Sequence, residues 1–274
     1  TGRNLANAYS FLRYGHERRD ESYLLKGRNV IRFFVDNCQL PNGWLYHLYN
    51  VDEKKFVYWW TGILMPYHYV KNKEDLIGYL GADTVEEQWS LVEELGKLEG
   101  SYLRSMSESA HELLMSYLLE EKHGIIHSEW LEVVRKYCDF LLSKQNSEGS
   151  WNRVYDKNGS EILEPKRWIG TDHERKASTA TAIPCLLRLY QTTGDHRYLK
   201  AAVRAGDFVI KNYVETVEFC GGCQDPPHVK GVQIDNEGIT YPLEALLYLY
   251  EVTKEERFLI GAEKSGKIHA SWIY

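Results

Sequence analysis

The chain has 274 residues, 43% apolar and 26% charged, with a net charge of -6. That balance belongs to a folded globular protein rather than a disordered one. An acidic chain without a basic stripe excludes nucleic acid as the main partner, and no run approaches the roughly 18–20 apolar residues of a membrane-spanning helix. The 20 Tyr and 8 Trp are flat side chains with polar handles, suited to building a core and to stacking on sugar rings.

The elements are read in chain order as helical hairpins. The first covers about residues 3–37, with Tyr23-Leu24 opening its second helix. An alternating segment from Gly43 to Tyr49 comes after it and reads as a short strand. Residues 50–103 are an insertion holding Trp59-Trp60-Thr61-Gly62 and a predicted helix from Thr84 to Leu95, where Thr84 and Glu87 have the spacing of a capping box. An insertion of that length is either functional, as a lid, or padding at an edge. The second hairpin covers about 104–145, with Trp130-Leu131 in the place of Tyr23-Leu24. Its own alternating segment runs from Gly149 to Tyr155.

Hairpins three and four carry the clearest repeat. Leu186-Leu187-Arg188-Leu189-Tyr190 returns as Leu246-Leu247-Tyr248-Leu249-Tyr250, an offset of 60. Thr193, Arg197, Leu199, Ala202 and Gly206 return at the same offset as Thr253, Arg257, Leu259, Ala262 and Gly266. Gly194 is suited to a left-handed helix cap and Asp195 to capping the next helix. The small residues Ala202, Ala205 and Gly206 let a neighbouring helix approach closely.

This series of hairpins resembles the six-hairpin glycosidase superfamily, the (α/α)6 toroids. The run Gly149-Ser150-Trp151-Asn152-Arg153-Val154-Tyr155-Asp156, together with Lys176-Ala177-Ser178-Thr179-Ala180-Thr181-Ala182 downstream, is similar to a run of the unsaturated glucuronyl and rhamnogalacturonyl hydrolases. The stretch from Tyr190-Gln191-Thr192-Thr193-Gly194-Asp195 to Ala202 resembles one shared across the superfamily. The resemblance implies an all-α, toroid-like array of helical hairpins in one domain over 1–274, with short β excursions. Such toroids have six hairpins. Four here imply a piece of a longer chain, its remaining hairpins absent or contributed by another chain or copy. The Asp that the glucuronyl hydrolases use as general acid has no counterpart.

In the superfamily, the N-terminal ends of the inner helices carry the site, where free N–H groups and the helix dipole favour polar or anionic ligands. Before hairpin four stand Asp235 and Glu237, either a catalytic carboxyl pair or a helix cap and a dipole partner. Before hairpin three stand Arg167, Trp168, Asp172, His173, Glu174, Arg175 and Lys176. The acids and the His suit proton transfer, and the cations suit a substrate carboxylate. The alternative is a solvated charged loop. Before hairpin two, Glu108 and His111 share a helix face, unless Ser107 caps the helix and Glu108 is solvated.

Trp44, Trp60, Trp151, Arg153 and Tyr155 complete the expected substrate-binding set. His47 and His68 lie in aromatic-rich excursions. His16, His123, His127, His196 and His269 read as solvated. Five Cys do not make a disulfide scaffold. Cys220-Gly221-Gly222-Cys223, with Glu218 and His228 nearby, has the spacing of a zinc site but too few ligands; no cofactor is expected.

The function expected is hydrolysis of an oligo- or polysaccharide, at a uronic or other acidic sugar, by a carboxylate pair. The rivals are a sugar 2-epimerase of the same fold, using His111 and His173, and a non-catalytic glycan-binding toroid. A periplasmic or secreted location fits such a substrate.

Overall fold

The computed structural model describes residues 2–46, 48–57, 72–80, 85, 86, 89, 100–164, 166–219 and 236–271. Helix α1 (Gly2–Arg18) and α2 (Glu21–Asn37) form the first hairpin. Strands β1 (Leu48–Asn50) and β2 (Lys55–Val57) pair antiparallel, and α3 (Lys73–Leu80) lies in the insertion. Strand β3 (Gly100–Tyr102) leads into α4 (Leu103–Lys122), which pairs with α5 (Ser128–Lys144). Strand β4 (Val154–Asp156) returns to β3 with Tyr102 opposite Val154. The short α6 (Lys166–Ile169) and a 3-10 segment (Glu174–Ala182) precede the third hairpin, α7 (Ile183–Thr193) and α8 (His196–Val209). The fourth is α9 (Asn236–Thr253) and α10 (Glu256–Ala270).

The hairpins are those the sequence predicts. Helix α1 packs on α4, α4 on α7, and α7 on α9, so the first helix of every hairpin faces inward. The second helices form the outer layer. The 60-residue repeat persists in the turns. Thr193 Oγ1 bonds the Leu189 carbonyl and accepts from Asp195 N–H; Thr253 does the same with Leu249 and Glu255. Gly194 holds a φ of 73°, and Lys254 takes its place at 62°. Asp195 caps α8 by accepting from Arg197 N–H.

A second repeat links the first hairpin to the second and the second to the third. Gln39 Nε2 donates to the Gly43 and Val133 carbonyls, and Gln145 Nε2 donates to those of Gly149 and Ala201. Gly43 and Gly149 have φ of 92° and 103°, and a Cβ on either would overlap a carbonyl of the outer helix, Lys136 or Arg204. This clamp displaces the strands. Among the described residues of the Gly43–Tyr49 segment only Leu45 bridges, to Gln39, before β1 begins at Leu48. In the Gly149–Tyr155 segment the ladder begins at Val154.

Helix α3 has no counterpart among the predicted elements. Of the expected helix from Thr84 to Leu95, the structure describes Val85, Glu86 and Trp89, all helical; Thr84 and Glu87 lie outside the described residues.

The core holds Trp44 and Trp151, both fully buried. Cys38, Cys138 and Cys185 are buried free thiols. Among the described residues no helix is long and apolar enough to cross a membrane.

Candidate active site

Helix α4 starts where β3 meets β4: Leu103 N–H donates to the Arg153 carbonyl at 2.8 Å. From that fixed start, Arg104, Glu108, His111 and Glu112 come at helical spacing and share one stripe. Across from them, Glu237, Tyr241 and Glu244 make the matching stripe on α9. The two stripes interlock through Arg104. Its Nη2 donates to Glu237 Oε1 at 2.9 Å, its Nη1 donates to Oε2, and its Nε donates to Glu108 Oε1 at 3.1 Å. The guanidinium also lies 4.9 Å from the Tyr241 ring centre, a cation–π distance. Tyr241 Oη donates to Glu108 Oε1 as well, so both donors reach the same oxygen of Glu108.

Glu108, His111 and Glu112 of one stripe and Tyr241 and Glu244 of the other, with Ala6, Ser107, Thr181 and Pro184, line a cavity of about 350 Å³. Burial pushes the Glu112 carboxyl above its ordinary range, and the charges of Glu108 and Glu244 push it further. Burial, helped by Arg188, lowers His111 to about 4. Its imidazole is therefore neutral at neutral pH, and its Nε2 is buried with no hydrogen-bond partner among the described residues. Burial raises the Tyr241 phenol, as does its bond to Glu108. Burial opposes the charge on Arg104, but the pairing with Glu237 and Glu108 outweighs it.

The sequence-predicted residues divide into groups. Glu108 and His111 line the cavity, and Glu237 stands beside it in the Arg104 fork. Asp235 and Trp60 lie outside the described residues, as do His47, His68, Cys220, Cys223 and His228. Arg167 and Trp168 belong to α6, but their side chains lie outside what is described.

The acids expected before hairpin three brace the local chain. Asp172 accepts from Arg175 at 2.5 Å and from Lys176 at 3.0 Å, and Lys176 reaches Glu148 at 3.0 Å. His173 Nε2 lies 3.2 Å from Glu218 Oε2, and the His173 carbonyl accepts from Tyr213 Oη. Glu174 accepts from Thr171 N–H while Thr171 Oγ1 accepts from Glu174 N–H, a capping box.

The expected sugar platform is corrected. Trp44, Trp151, Arg153 and Tyr155 have no exposed surface. Trp151 Nε1 donates to the Leu141 carbonyl, Tyr155 Oη accepts from Asn152 N–H, and Arg153 Nη2 donates to the Glu174 carbonyl. A ring with no free face has nothing to stack on a ligand; these side chains hold the excursion to the helices. Ser107 is not a cap either. Helix α4 begins at Leu103, and Ser107 is buried in it at 2.7 Å from Tyr137 Oη.

The reading of His16 and His127 as solvated is also corrected. Both bond to the fully buried Glu120, at 2.6 and 3.1 Å, beside Arg28 at 2.8 Å. His123 stacks on His16 with ring centres 3.7 Å apart. Sequence reasoning missed Glu112, Tyr241 and Glu244. Glu112 was legible, one turn beyond Glu108. Tyr241 and Glu244 repeat the same stripe from Glu237. Among the described residues no group of His, Cys, Asp and Glu could hold a metal ion.

No protein-family model and no curated protein matches the chain. Among solved structures it is similar to a cellobiose 2-epimerase from Bacillus thermoamylovorans B4167, at 11% identity and a TM-score of 0.48, covering 96% of this chain and 74% of that one. It is also similar to a family 76 glycoside hydrolase from a bovine Bacteroides thetaiotaomicron strain, at 13% identity and a TM-score of 0.45, covering 86% of this chain and 54% of that one.

Proposed function

We propose that the chain is a glycoside hydrolase whose reacting groups are Glu112 and Glu108. The supporting observation is the contrast between these two carboxyls in one cavity, one helical turn apart. Glu112 is buried among like charges and retains its proton more readily than an ordinary carboxyl. Glu108 is fixed through Oε1 by Arg104 and Tyr241, which leaves Oε2 to the cavity. Carboxyls held in unlike environments take the acid and base roles. Glu112 donates its proton to the leaving oxygen, and Glu108 Oε2 draws a proton from water or attacks the sugar carbon.

A uronic acid is not the substrate proposed. Of the cations that favoured one, Arg175 and Lys176 are committed to Asp172, and the Arg167 side chain lies outside what is described.

The test is product mass from a panel of oligosaccharides. The wild type is expected to release fragments that have gained one water. Glu112→Gln, with an unchanged circular dichroism spectrum, is expected to lose about 10²–10⁴ of the rate. Full activity in Glu112→Gln would end this assignment.

The neutral His111, with its unpartnered Nε2, favours a second reading, proton abstraction in a sugar epimerase. His173, the partner expected for it, is not among the cavity residues described. Products that have gained no water, but in D2O take up one deuterium at the epimerised carbon, would select this reading.

A further inference from the structure

We infer that the cavity takes a cationic sugar, a glycoside bearing a free amine; this rests on the glycosidase reading of the same site. The first ground is charge. Three lining residues are carboxyls, Glu108, Glu112 and Glu244, and no Lys or Arg stands among the described lining residues. Of the cations near it, Arg104 is already divided between Glu237 and Glu108, and Arg188, whose charge reaches His111, donates to Gln191 and lies over the Tyr248 ring. The carboxyls feel one another, since Glu108 and Glu244 both act on Glu112. An anionic sugar would add like charge to a confined space, and an ammonium would relieve it.

The second ground is hydrogen-bond capacity. Thr181 Oγ1 donates to the Ser178 carbonyl, Tyr241 Oη donates to Glu108, and Ser107 Oγ is engaged with Tyr137. Apart from the acid proton assigned to Glu112, the hydroxyl donors of the cavity are thus used within the protein. What remains open is acceptor capacity: the carboxylate oxygens of Glu108 and Glu244, and the ring edge of His111. The buried, unpartnered Nε2 of His111 is a polar atom with no protein group to satisfy it, and a buried polar atom of that kind calls for a ligand. A neutral imidazole nitrogen serves a sugar hydroxyl as donor or acceptor according to its tautomer. The complementary ligand brings donors and positive charge. An ammonium brings three N–H donors and no acceptor.

The experiment is calorimetric binding of three oligosaccharides of equal length to the whole chain: glucosamine, its N-acetylated counterpart, and galacturonic acid. The glucosamine oligomer is expected to bind at least about tenfold more tightly than the N-acetylated one. That advantage is expected to shrink as salt rises from about 50 to about 500 mM. Glu244→Gln, at an exposed helical position and with an unchanged circular dichroism spectrum, is expected to remove most of the advantage. No binding of the amine, or equal or tighter binding of the neutral or acidic oligomer, overturns the inference. Preferred binding of the amine without cleavage overturns the hydrolase reading and leaves this one standing. Cleavage of a neutral sugar with no preference for the amine does the reverse.

Discussion

Glu120 offers the sharpest test of how the array is held together. It sits in α4, two turns beyond Glu112, with no exposed surface. Its two oxygens take bonds from His16 at 2.6 Å, Arg28 at 2.8 and 3.3 Å, and His127 at 3.1 Å. It thereby joins α4 to both helices of the first hairpin and to the cap of α5. Glu120→Ala removes the acceptor of all four contacts and leaves Arg28 without its counter-charge. Removing one partner of a buried pair costs about 3–5 kcal/mol. Arg28 keeps 29% of its side chain exposed, so water compensates in part, and the lower figure, about 3 kcal/mol, is the expected loss.

In a chain of this size that lowers the melting midpoint by about 6 °C. Glu120→Gln keeps the volume and one acceptor, and is expected to lose about half as much. The pH dependence has a defined sign. Burial alone would raise the Glu120 carboxyl, but the bonds from Arg28, His16 and His127 outweigh it and hold it below the ordinary value of 4.5. The stabilisation is therefore present above that value and is lost as pH falls through the folded-state pKa. Urea unfolding of the wild type and both variants at neutral pH and near pH 3 measures this. A Glu120→Ala protein within about 0.5 kcal/mol of the wild type at neutral pH would refute the reasoning, as would a gap that widened in acid.

His111, lowered to about 4 from 6.5, makes the folded state lose about 3 kcal/mol between those values as pH falls, because the unfolded chain protonates first; His111→Asn is expected to flatten that part of the stability profile measured by urea titration. Gly206→Ala pushes a methyl to 2.8 Å from the Phe258 ring and against Leu249, an overpacking cost of about 1–3 kcal/mol readable in the thermal midpoint. Arg104→Leu frees Glu237 and leaves Glu108 held by Tyr241 alone. It is expected to impair hydrolysis more than folding, with turnover and unfolding compared on one preparation.

Much of the fold is written locally. The Thr-x-Asp and Thr-x-Glu turns, the small residues and the 60-residue repeat act within a few residues or along one helix face, so sequence alone fixes the hairpins. The candidate site is legible only in part. Helical spacing places Glu108, His111 and Glu112 on one stripe, as it does Glu237, Tyr241 and Glu244, because that periodicity is a property of a single helix. Which stripes face each other is not. Arg104 meets Glu237 across 133 residues, and His16 meets Glu120 across 104.

The same limit explains the residues that turned out otherwise. Trp151 and Arg153 look like ligand-binding groups, and Asp172 like a catalytic one, because composition reports what a side chain is able to do. Only packing decides whether a ring is covered by other helices, or whether a carboxyl is already held by Arg175 and Lys176. The hairpins arise from short-range periodicity and turn chemistry. The cavity, its charge and its neutral histidine arise from how those hairpins pack, because burial and distant partners set the chemistry of a side chain.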